Sequence, residues 1–542
     1  MVPRSILPAL GAAALLTTAA AHPDETYDYI VIGSGPGGGP LASTFARAGY
    51  STLLLEAGDD MRNNPLTKLA TGLTTLPLRD ANSWSFWVRD QFASEELELR
   101  NNQLTWRFPN GSYWVDNGAE APAGAELMQV WYPRGATVGG SSVVNAMATF
   151  LPNDSEHENM RRIFETIEKN HYLPKGTLGH GFDGHFETNL GDGSQYMDIP
   201  GLVDVYKAMV RSLGQDPEKV IEMLGSDPDF LGEDRDTTEG LWGLEFHAKA
   251  NWERYSILRA FACQEVIVAG GAFNSPQILQ LSGIGNGEEL EALDIRVIAD
   301  LPGEGRNLQD NQEYPVIGHT QLNLTAEPNP NEPKEGLGPY MRPGYNSNAM
   351  LLKSNHSLNG ERDLFLFNRP GAFRGISPQL RLDMSRSARQ TQQNRQRSTL
   401  RCTREGAETD LGALRDVAEG GRQVMKDAQR PWGPLEPAEP PCSKIACDGR
   451  CEDGDGTSDE DWIREQTFGH HPSGTCAIGF QDDRMAVLES GFRAHRVEGL
   501  RVVDASVFPR VPGAFPAVAT FMISQKASEV VLQDAAAASS QD

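Results

Sequence analysis

The segment Tyr27-Asp28-Tyr29-Ile30-Val31-Ile32-Gly33-Ser34-Gly35-Pro36-Gly37-Gly38 decides which fold the chain is expected to adopt. A short β-rich run leads directly into a Gly-x-Gly-x-x-Gly loop, and a helical pattern follows over 40–48. A second apolar run over 51–55 then ends at Glu56. This order of strand, glycine loop, helix, strand and acid predicts a Rossmann-like unit that binds a dinucleotide.

Each part of this segment has a physical role in holding a dinucleotide. Gly33 permits a tight turn, Gly35 lets the backbone approach a pyrophosphate, and Gly38 allows the helix to pack closely on the strand. The helix N-terminus offers free N–H groups and partial positive charge to the phosphates. Glu56 can accept both hydroxyls of an adenosine ribose. The motif alone does not distinguish NAD from FAD.

Further segments indicate a family. A second glycine-rich loop reads Gly135-Ala136-Thr137-Val138-Gly139-Gly140-Ser141-Ser142-Val143-Val144-Asn145, and a third lies over 271–285. Near the C-terminus stand His471-Pro472-Ser473-Gly474-Thr475-Cys476 and Leu500-Arg501-Val502-Val503-Asp504-Ala505-Ser506. With the first loop, these segments resemble the glucose-methanol-choline (GMC) oxidoreductases, which are FAD-dependent flavoproteins. The motifs over 35–40 and 468–471 are similar to those of the fungal natural-product branch of the family.

The resemblance runs over about 27–531 and implies an α/β fold with two discontinuous domains. The first is an FAD-binding Rossmann-like domain of the GMC type. The second is an α+β substrate-binding domain that covers the flavin. The FAD-binding domain is expected to comprise 27–150, 245–310 and 465–535, and the substrate-binding domain 151–244 and 311–460.

The same resemblance implies where FAD would lie. The pyrophosphate would rest on the loop of Gly33, Gly35 and Gly38, with the adenosine ribose on Glu56. The isoalloxazine ring would lie beside the second loop, and the flavin end of the pyrophosphate near the C-terminal motif. The residues expected at these two places are Val138, Gly139, Ser142, Asn145, Asp504 and Ala505.

In such enzymes an alcohol gives its hydroxyl proton to a base while its carbon gives a hydride to flavin N5. His471, in the H-x-x-G-T motif, stands at the base position of the family, and imidazole suits this role because its ordinary pKa lies near the working pH. His470 is expected to line the substrate pocket. The second His or Asn of the family is missing from 512–518, where Phe515 falls nearest to its place. Phenylalanine cannot exchange a proton, so Phe515 is expected to line an apolar pocket.

The expected reaction is FAD-dependent oxidation of a small-molecule alcohol, aryl or polyketide-derived, with dioxygen or another acceptor reoxidising the flavin. One alternative is a non-redox cyclase or dehydratase on the same fold, similar to versicolorin B synthase. Another is a degenerate chain, or one altered by an error in gene prediction, that binds flavin weakly. Two stretches of the sequence suggest this degenerate or wrongly predicted chain. The chain between 244 and 264 is short and omits a strand that relatives use to contact adenine, and 381–404 is arginine-rich.

The charge balance limits the classes of partner. Lys and Arg number 48 against 74 Asp and Glu in 542 residues, which gives a formal charge of −26. Because nucleic-acid affinity rests on cationic contacts to phosphate, this balance argues against a nucleic-acid partner. No stretch after the N-terminal segment is long and apolar enough for a membrane helix.

The N-terminal segment and the cysteines suggest that the protein is exported to an oxidising compartment. Residues 1–21 have a basic residue, an apolar run and a small-residue end, which predicts a secretory signal cleaved after Ala21. The mature chain is therefore expected to be secreted. Four Asn-x-Ser/Thr triplets then become candidate glycosylation sites, at Asn110, Asn153, Asn323 and Asn355.

Oxidation would favour a Cys442–Cys447 or Cys442–Cys451 disulfide, while Cys263 and Cys476 read as buried thiols. No metal site is predicted, since His180 and His185 lie in a glycine-rich loop without carboxylates at ligand spacing.

Overall fold

A computed structural model describes most of the chain and supplies all the geometry below. The described residues are 25–68, 82–88, 99–115, 123–145, 149–151, 158–190, 200–225, 240–243, 245–247, 260–311, 313–319, 348–357, 363–368, 407–430, 433–442, 444–446, 448–452, 459–513 and 515–540. The predicted signal segment, Asn153, Asn323, Cys447 and the arginine-rich stretch 381–404 lie outside them.

The described residues form short strands and mostly short helices. The strands are β1 (Glu25–Ile32), β2 (Thr52–Leu55), β3 (Ser83–Val88), β4 (Leu104–Arg107), β5 (Tyr113–Val115), β6 (Glu126–Gly135), β7 (Glu168–Asn170), β8 (Phe186–Leu190), β9 (Gly240–Gly243), β10 (Glu245–His247), β11 (Ala260–Val268), β12 (Ile284–Gly285), β13 (Ala299–Asp300), β14 (Ile317–His319), β15 (Asn348–Leu352), β16 (Leu364–Asn368), β17 (Glu436–Glu439) and β18 (Leu500–Val502). The helices are α1 (Gly38–Arg47), α2 (Glu158–Ile167), α3 (Pro200–Ser212), α4 (Val220–Gly225), α5 (Gly271–Leu281), α6 (Gly287–Ala292), α7 (Ala407–Asp427), α8 (Asp459–Gln466) and α9 (Ala517–Ser539).

A parallel sheet in the order β18-β11-β1-β2 forms the centre of the dinucleotide-binding region. Its strands are apolar because helices cover them, as in other parallel sheets. Val31, Ile267 and Val502 of the sheet share one core with Leu41 and Phe45 of α1. The α/β class expected from the sequence is therefore confirmed. Among the described residues no strand pairs with the outer edge of β2, and 248–259 lie outside that part of the chain.

The other sheets lie outside this core. An antiparallel sheet of four strands in the order β3-β6-β4-β5 is rich in aromatic side chains, and its strand β6 leads into the second glycine loop. The smaller sheets among the described residues have the orders β10-β8-β7, β16-β15-β9, β14-β17 and β12-β13. Strand β10 pairs with β8, so Glu245–His247 joins a sheet built from the predicted substrate-binding segment.

The third glycine-rich segment forms helix α5 over Gly271–Leu281, where the sequence had suggested a loop. Its internal Pro276 leaves the carbonyl of Ala272 without a helical donor. The Thr475 hydroxyl donates to that carbonyl at 2.6 Å. The chain after His471 is thereby joined to α5, and the helix tolerates its proline.

A buried charge network holds the long C-terminal helix against the sheet. Arg501 on β18 is fully buried and donates to both carboxylate oxygens of Glu265 at 2.6 and 3.0 Å. It also donates to Asp534 of α9 at 2.7 Å. A buried guanidinium requires such pairing, since removing one partner of a buried ion pair is strongly destabilising.

Two sequence expectations about side-chain environment are wrong. Cys476 is buried, but Cys263 is exposed, because it alternates outward near the start of β11. The buried His180 does have a carboxylate neighbour, since its Nδ1 lies 3.0 Å from Glu168 Oε2. Thr188 and the Gly181 N–H also donate to that carboxylate, so the cluster is a satisfied buried network.

The disulfide agrees with an expectation from the sequence. Cys442 and Cys451 form a disulfide, one of the two pairings considered. Asn110 and Asn355 are exposed. None of the helices within the described residues is long and apolar enough to span a bilayer.

Stability should fall with rising pH because of Glu304. This side chain is 2 % exposed, and burial raises the pKa of its carboxyl to about 8. The protonated form is favoured in the folded state, so its stabilising contribution is present below about pH 4.5 and is lost as pH rises to about 8. By linkage the effect on the free energy of unfolding is on the order of 3–5 kcal/mol.

We expect Glu304→Gln to raise the melting temperature more at pH 8 than at pH 5. Glu498→Gln at an exposed site is the control, and an equal effect at both pH values would contradict the prediction.

Candidate active site

Two distant segments pair to build the candidate site. Residues 309–313 run antiparallel to 468–473, with reciprocal backbone hydrogen bonds between Gln309 and Ser473 at 3.0 and 2.9 Å. A second reciprocal pair joins Glu313 and Phe468, with both bonds at 2.8 Å. Both His470 and His471 lie between these two anchor points. Their position is therefore set by a backbone ladder and not by a free loop.

Asp310 fixes the backbone of the histidine segment. Its Oδ1 accepts from the His471 N–H at 2.8 Å, and its Oδ2 accepts from the Tyr132 hydroxyl at 3.0 Å. Gly469 leaves room for this carboxylate, because a Cβ there would lie 2.3 Å from Asp310 Cγ. Burial raises the pKa of Asp310 to about 7, while the hydrogen bond from His471 opposes that shift.

The two histidines surround one carboxylate. Oε1 of Glu313 lies 3.3 Å from Nδ1 of His471 and 3.8 Å from Nε2 of His470. The imidazole ring centroids are 3.9 Å apart. One potential ligand atom from each of the three residues lies within 4.8 Å of the others, a separation that a metal ion could bridge. No metal site was expected at these three residues from the sequence.

Burial keeps both imidazoles neutral. Burial, and to a smaller extent the charge of Arg134, lowers the pKa of His471 to about 3. It also lowers the pKa of His470 to about 3, which Glu313 opposes. Burial raises the pKa of Glu313 itself. The charge of Glu313 has the larger effect on the pKa of His470, although the Glu313 carboxylate lies nearer to His471. At neutral pH both rings can therefore accept a proton.

Aromatic rings form one wall of the site. The Phe515 ring lies 4.9 Å from that of His471 and contacts Phe150 and Phe365 edge-on at 4.8 and 5.6 Å. These rings belong to an apolar cluster with the start of α9. On the other side of His470, the Phe468 ring stacks at 6.0 Å. Such a wall favours a flat or apolar group.

Arg134, near the end of β6, adds a positive charge behind the histidines. Its guanidinium lies 6.0 Å from the Tyr132 ring centroid. Burial lowers its pKa, and Asp310 opposes that change. Because an arginine stays protonated at working pH, Arg134 favours neutral histidines and negative charge nearby.

The first glycine loop fits the phosphate end of a dinucleotide. A Cβ at Gly33 or Gly38 would lie 2.2 or 2.1 Å from a backbone oxygen, and Gly33 has φ +105°. A Cβ at Gly35 would meet nothing within 4 Å, so open space lies beside this residue. Helix α1 begins without a side-chain cap and without an acid in its first turn. The Gly39 N–H donates to the Gly35 carbonyl at 2.9 Å and Pro40 has no N–H, so the helix start attracts an anion mainly through the positive end of its dipole.

Glu56 ties the first loop to its surroundings. Its Oε2 accepts from Ser34 N–H and Oγ at 2.9 and 2.6 Å, and its Oε1 accepts from Gly58 N–H at 2.9 Å. Because a carboxylate offers about four acceptor sites, about one remains for a ribose hydroxyl. Ser34 Oγ also accepts from Gly139 N–H at 3.0 Å, which joins the first and second loops.

The remaining predicted cofactor residues lie at the same junction. Val138 and Ser142 are buried, and Ser142 donates to the Gly139 carbonyl at 2.6 Å. Asn145 is partly buried just after this turn. Asp504 abuts Gly37, while its carboxylate accepts from Gly271, Ser275 and Ser506. Ala505 accepts from Gly474 N–H at 3.1 Å. The Asp504 carboxylate is thus occupied by the protein itself.

The polar residues around the two histidines were not predicted from the sequence. Glu313, Tyr132 and Arg134 received no role, although Asp310 was visible in Asn307-Leu308-Gln309-Asp310. The signal that could have found Glu313 is weak, namely an acid three residues after that motif. Its nearness to His471 depends on pairing between segments far apart in the chain.

Comparison with known proteins gives a consistent family. Two sequence models described as GMC oxidoreductase match residues 386–524 and 238–313. The oxygen-dependent choline dehydrogenase 1 of Chromohalobacter salexigens is 25 % identical over 93 % of this chain and 94 % of its own length. The mitochondrial choline dehydrogenase of Mus musculus is 26 % identical over 94 % and 89 %.

Solved structures share the fold at lower identity. A formate oxidase of Aspergillus oryzae has a TM-score of 0.60 at 15 % identity and covers 94 % of this chain and 98 % of its own. A fungal aryl-alcohol oxidase has a TM-score of 0.55 at 17 % identity and covers 94 % and 99 %.

Removing the space beside Asp310 should disturb the site. Gly469→Ala places a methyl group against a hydrogen-bonded carboxylate, and overpacking of this kind costs about 1–3 kcal/mol. We expect a lower melting temperature by differential scanning calorimetry. Gly420→Ala is the control, since it lies exposed in α7 with open space around it and should be neutral or stabilising. Equal behaviour of the two variants would contradict the assigned role of Gly469.

Proposed function

Because the chain belongs to the GMC oxidoreductase family, we propose that it oxidises a small-molecule alcohol with FAD as cofactor and His471 as base. The observation that carries this proposal is the neutral, backbone-anchored His471 beside an apolar wall. Dioxygen or another acceptor would restore the oxidised cofactor. The two curated relatives named above support alcohols as the substrate class, since both are choline dehydrogenases.

The residues present fit FAD. Gly35 and the start of α1 would hold the pyrophosphate, Glu56 a ribose hydroxyl, and the second loop at Gly139 would lie beside the flavin. Bound FAD would accept a hydride from the alcohol carbon.

The protein's own part is to orient the alcohol and to take its hydroxyl proton. His471 can do so at neutral pH because its imidazole is unprotonated. Asp310 would help to hold the histidine backbone in place, since it accepts from the His471 N–H. Phe515 would exclude water from one side of the His471 ring, since the two rings lie 4.9 Å apart.

We propose an aryl or polyketide-derived alcohol as substrate, in fungal-type natural-product metabolism. The supporting observation is the aromatic wall of Phe515, Phe365 and Phe150, which suits a flat ring. The absence of a second proton-exchanging group at Phe515 favours an activated alcohol, such as a benzylic one.

A cationic alcohol is the second candidate. The half-buried carboxylate of Glu313 between two neutral imidazoles would be stabilised by a positive charge. Choline, which carries a fixed cation, is the natural probe because the named relatives are choline dehydrogenases.

We also propose that residues 1–21 direct secretion and that exposed Asn110 or Asn355 carries glycan. The Cys442–Cys451 disulfide supports an oxidising compartment. Mass spectrometry of the protein from its native culture medium tests both points.

Anaerobic addition of alcohols should bleach the flavin absorbance of the purified protein. An aryl alcohol should bleach it faster than its saturated-ring analogue, because the aromatic wall binds the flat ring. Choline and its uncharged isostere 3,3-dimethylbutan-1-ol form the matched pair for the second candidate. Bleaching by choline alone would replace the aryl assignment. Absorbance that persists with every alcohol, while a product forms, would favour the cyclase.

Replacement of the base should slow reduction without loss of the cofactor. Loss of a positioned general base costs about 10²–10⁴-fold in rate. We therefore expect His471→Asn to reduce the rate of flavin bleaching by that factor while flavin content stays unchanged. His171→Asn at a half-exposed surface pair is the control. A rate within twofold of wild type would remove His471 from the mechanism.

A further inference from the structure

We propose that Glu313 is a positioning residue for His471, whose Nδ1–H it accepts so that Nε2 faces the alcohol proton. The inference rests on the proposed function for its kinetic test and on geometry for its support. The observation behind it is the 3.3 Å separation between Glu313 Oε1 and His471 Nδ1.

The geometry that holds the two side chains together is a backbone constraint. Glu313 exchanges two hydrogen bonds with Phe468, and Asp310 accepts from the His471 N–H. Both ends of the Glu313–His471 pair are therefore fixed on one antiparallel ladder. His471 Nδ1 and Glu313 Oε1 do not yet form a hydrogen bond in this structure. Catalytic hydrogen bonds are often long before substrate binds and tighten in the Michaelis complex.

The surroundings of the His471 ring show why a carboxylate partner is needed. Phe515 packs on His471 at 4.9 Å and offers neither a donor nor an acceptor. Burial opposes the imidazolium that forms when His471 takes a proton. An opposite charge within about 4–6 Å favours the charged form by about ten- to a thousandfold. Glu313 is the carboxylate at that distance.

The proton balance of the step is simple. The alcohol O–H bond breaks, and its proton forms the Nε2–H bond of His471. The Nδ1–H bond stays intact and donates to Glu313, which remains a carboxylate. The hydride leaves the alcohol carbon for the FAD named in the proposed function. No further reactant is needed.

Several other charged or titratable groups lie near the Glu313–His471 pair. Their effects on a pH profile must be distinguished from the effect of Glu313. His470 lies 3.8 Å from Glu313 on the same strand as His471. Asp310 lies on the Glu313 strand, and burial raises its pKa to about 7. Tyr132 and Arg134 approach from β6, where Arg134 disfavours charge on both histidines. A pH profile can therefore contain one limb from Glu313 and another from Asp310.

The kinetic test compares Glu313→Gln and Glu313→Asp with wild type in anaerobic flavin reduction by a neutral aryl alcohol. We expect Gln to lower the limiting rate by about ten- to a thousandfold with little change in the substrate dissociation constant, and Asp to restore part of it. Burial raises the pKa of Glu313 above its ordinary value, so wild-type activity should fall as the pH drops through that raised pKa. That limb should vanish in Glu313→Gln and persist in Asp310→Asn. Glu187→Gln, at an exposed His–Glu pair, is the matched control.

A second readout does not need catalysis. In protein with ¹⁵N-labelled histidine, the His471 signal should report the Nδ1–H tautomer in wild type, and Glu313→Gln should shift its Nδ1 resonance. His471→Asn assigns the signal. An unchanged tautomer and resonance in Glu313→Gln would overturn the proposal, as would a variant that changes only the dissociation constant. If no alcohol reduces wild type, the proposed function fails while the resonance still decides this inference.

Discussion

The antiparallel pairing of 309–313 with 468–473 is the constraint on which the site depends. It brings together segments about 160 residues apart and fixes both histidines from the backbone. The Thr475 hydroxyl extends the same attachment to α5, and Ala505 to the junction of the glycine loops. His471 and the glycine loops are thus parts of one hydrogen-bonded unit, so backbone contacts set the position of His471 relative to those loops.

Burial sets the protonation states within this unit. Neutral histidines, a carboxylate with a raised pKa and a buried guanidinium lie within one small volume. In such a medium each charge is costly unless an opposite charge lies close to it. A proton taken by His471 creates a cation that only a nearby anion can stabilise. This electrostatic arrangement links the apolar wall at Phe515 to the acid at Glu313, because the wall removes water that would otherwise solvate the imidazolium.

The sequence allowed the dinucleotide-binding half to be predicted because its signals are local. Gly33, Gly38 and the α1 pattern lie within one continuous stretch, so spacing alone indicated the turn and the helix. Cys263 and α5 were misjudged, since exposure depends on strand alternation and α5 gains a donor for its Ala272 carbonyl from the distant Thr475. Glu313 was missed because its neighbour His471 lies on a strand that only the folded chain places beside it. The family resemblance supplied His471 itself, and no local pattern could have done so.

Under the proposed function, His471 takes the proton of an alcohol while the alcohol carbon is oxidised. The most direct measurement is the rate of anaerobic flavin reduction with an aryl alcohol and its carbinol-deuterated form, in wild type and in His471→Asn. We expect deuterium to slow reduction in both proteins, with the variant slower overall. Flavin that no alcohol reduces, or equal rates for wild type and variant, would rule out this role of His471.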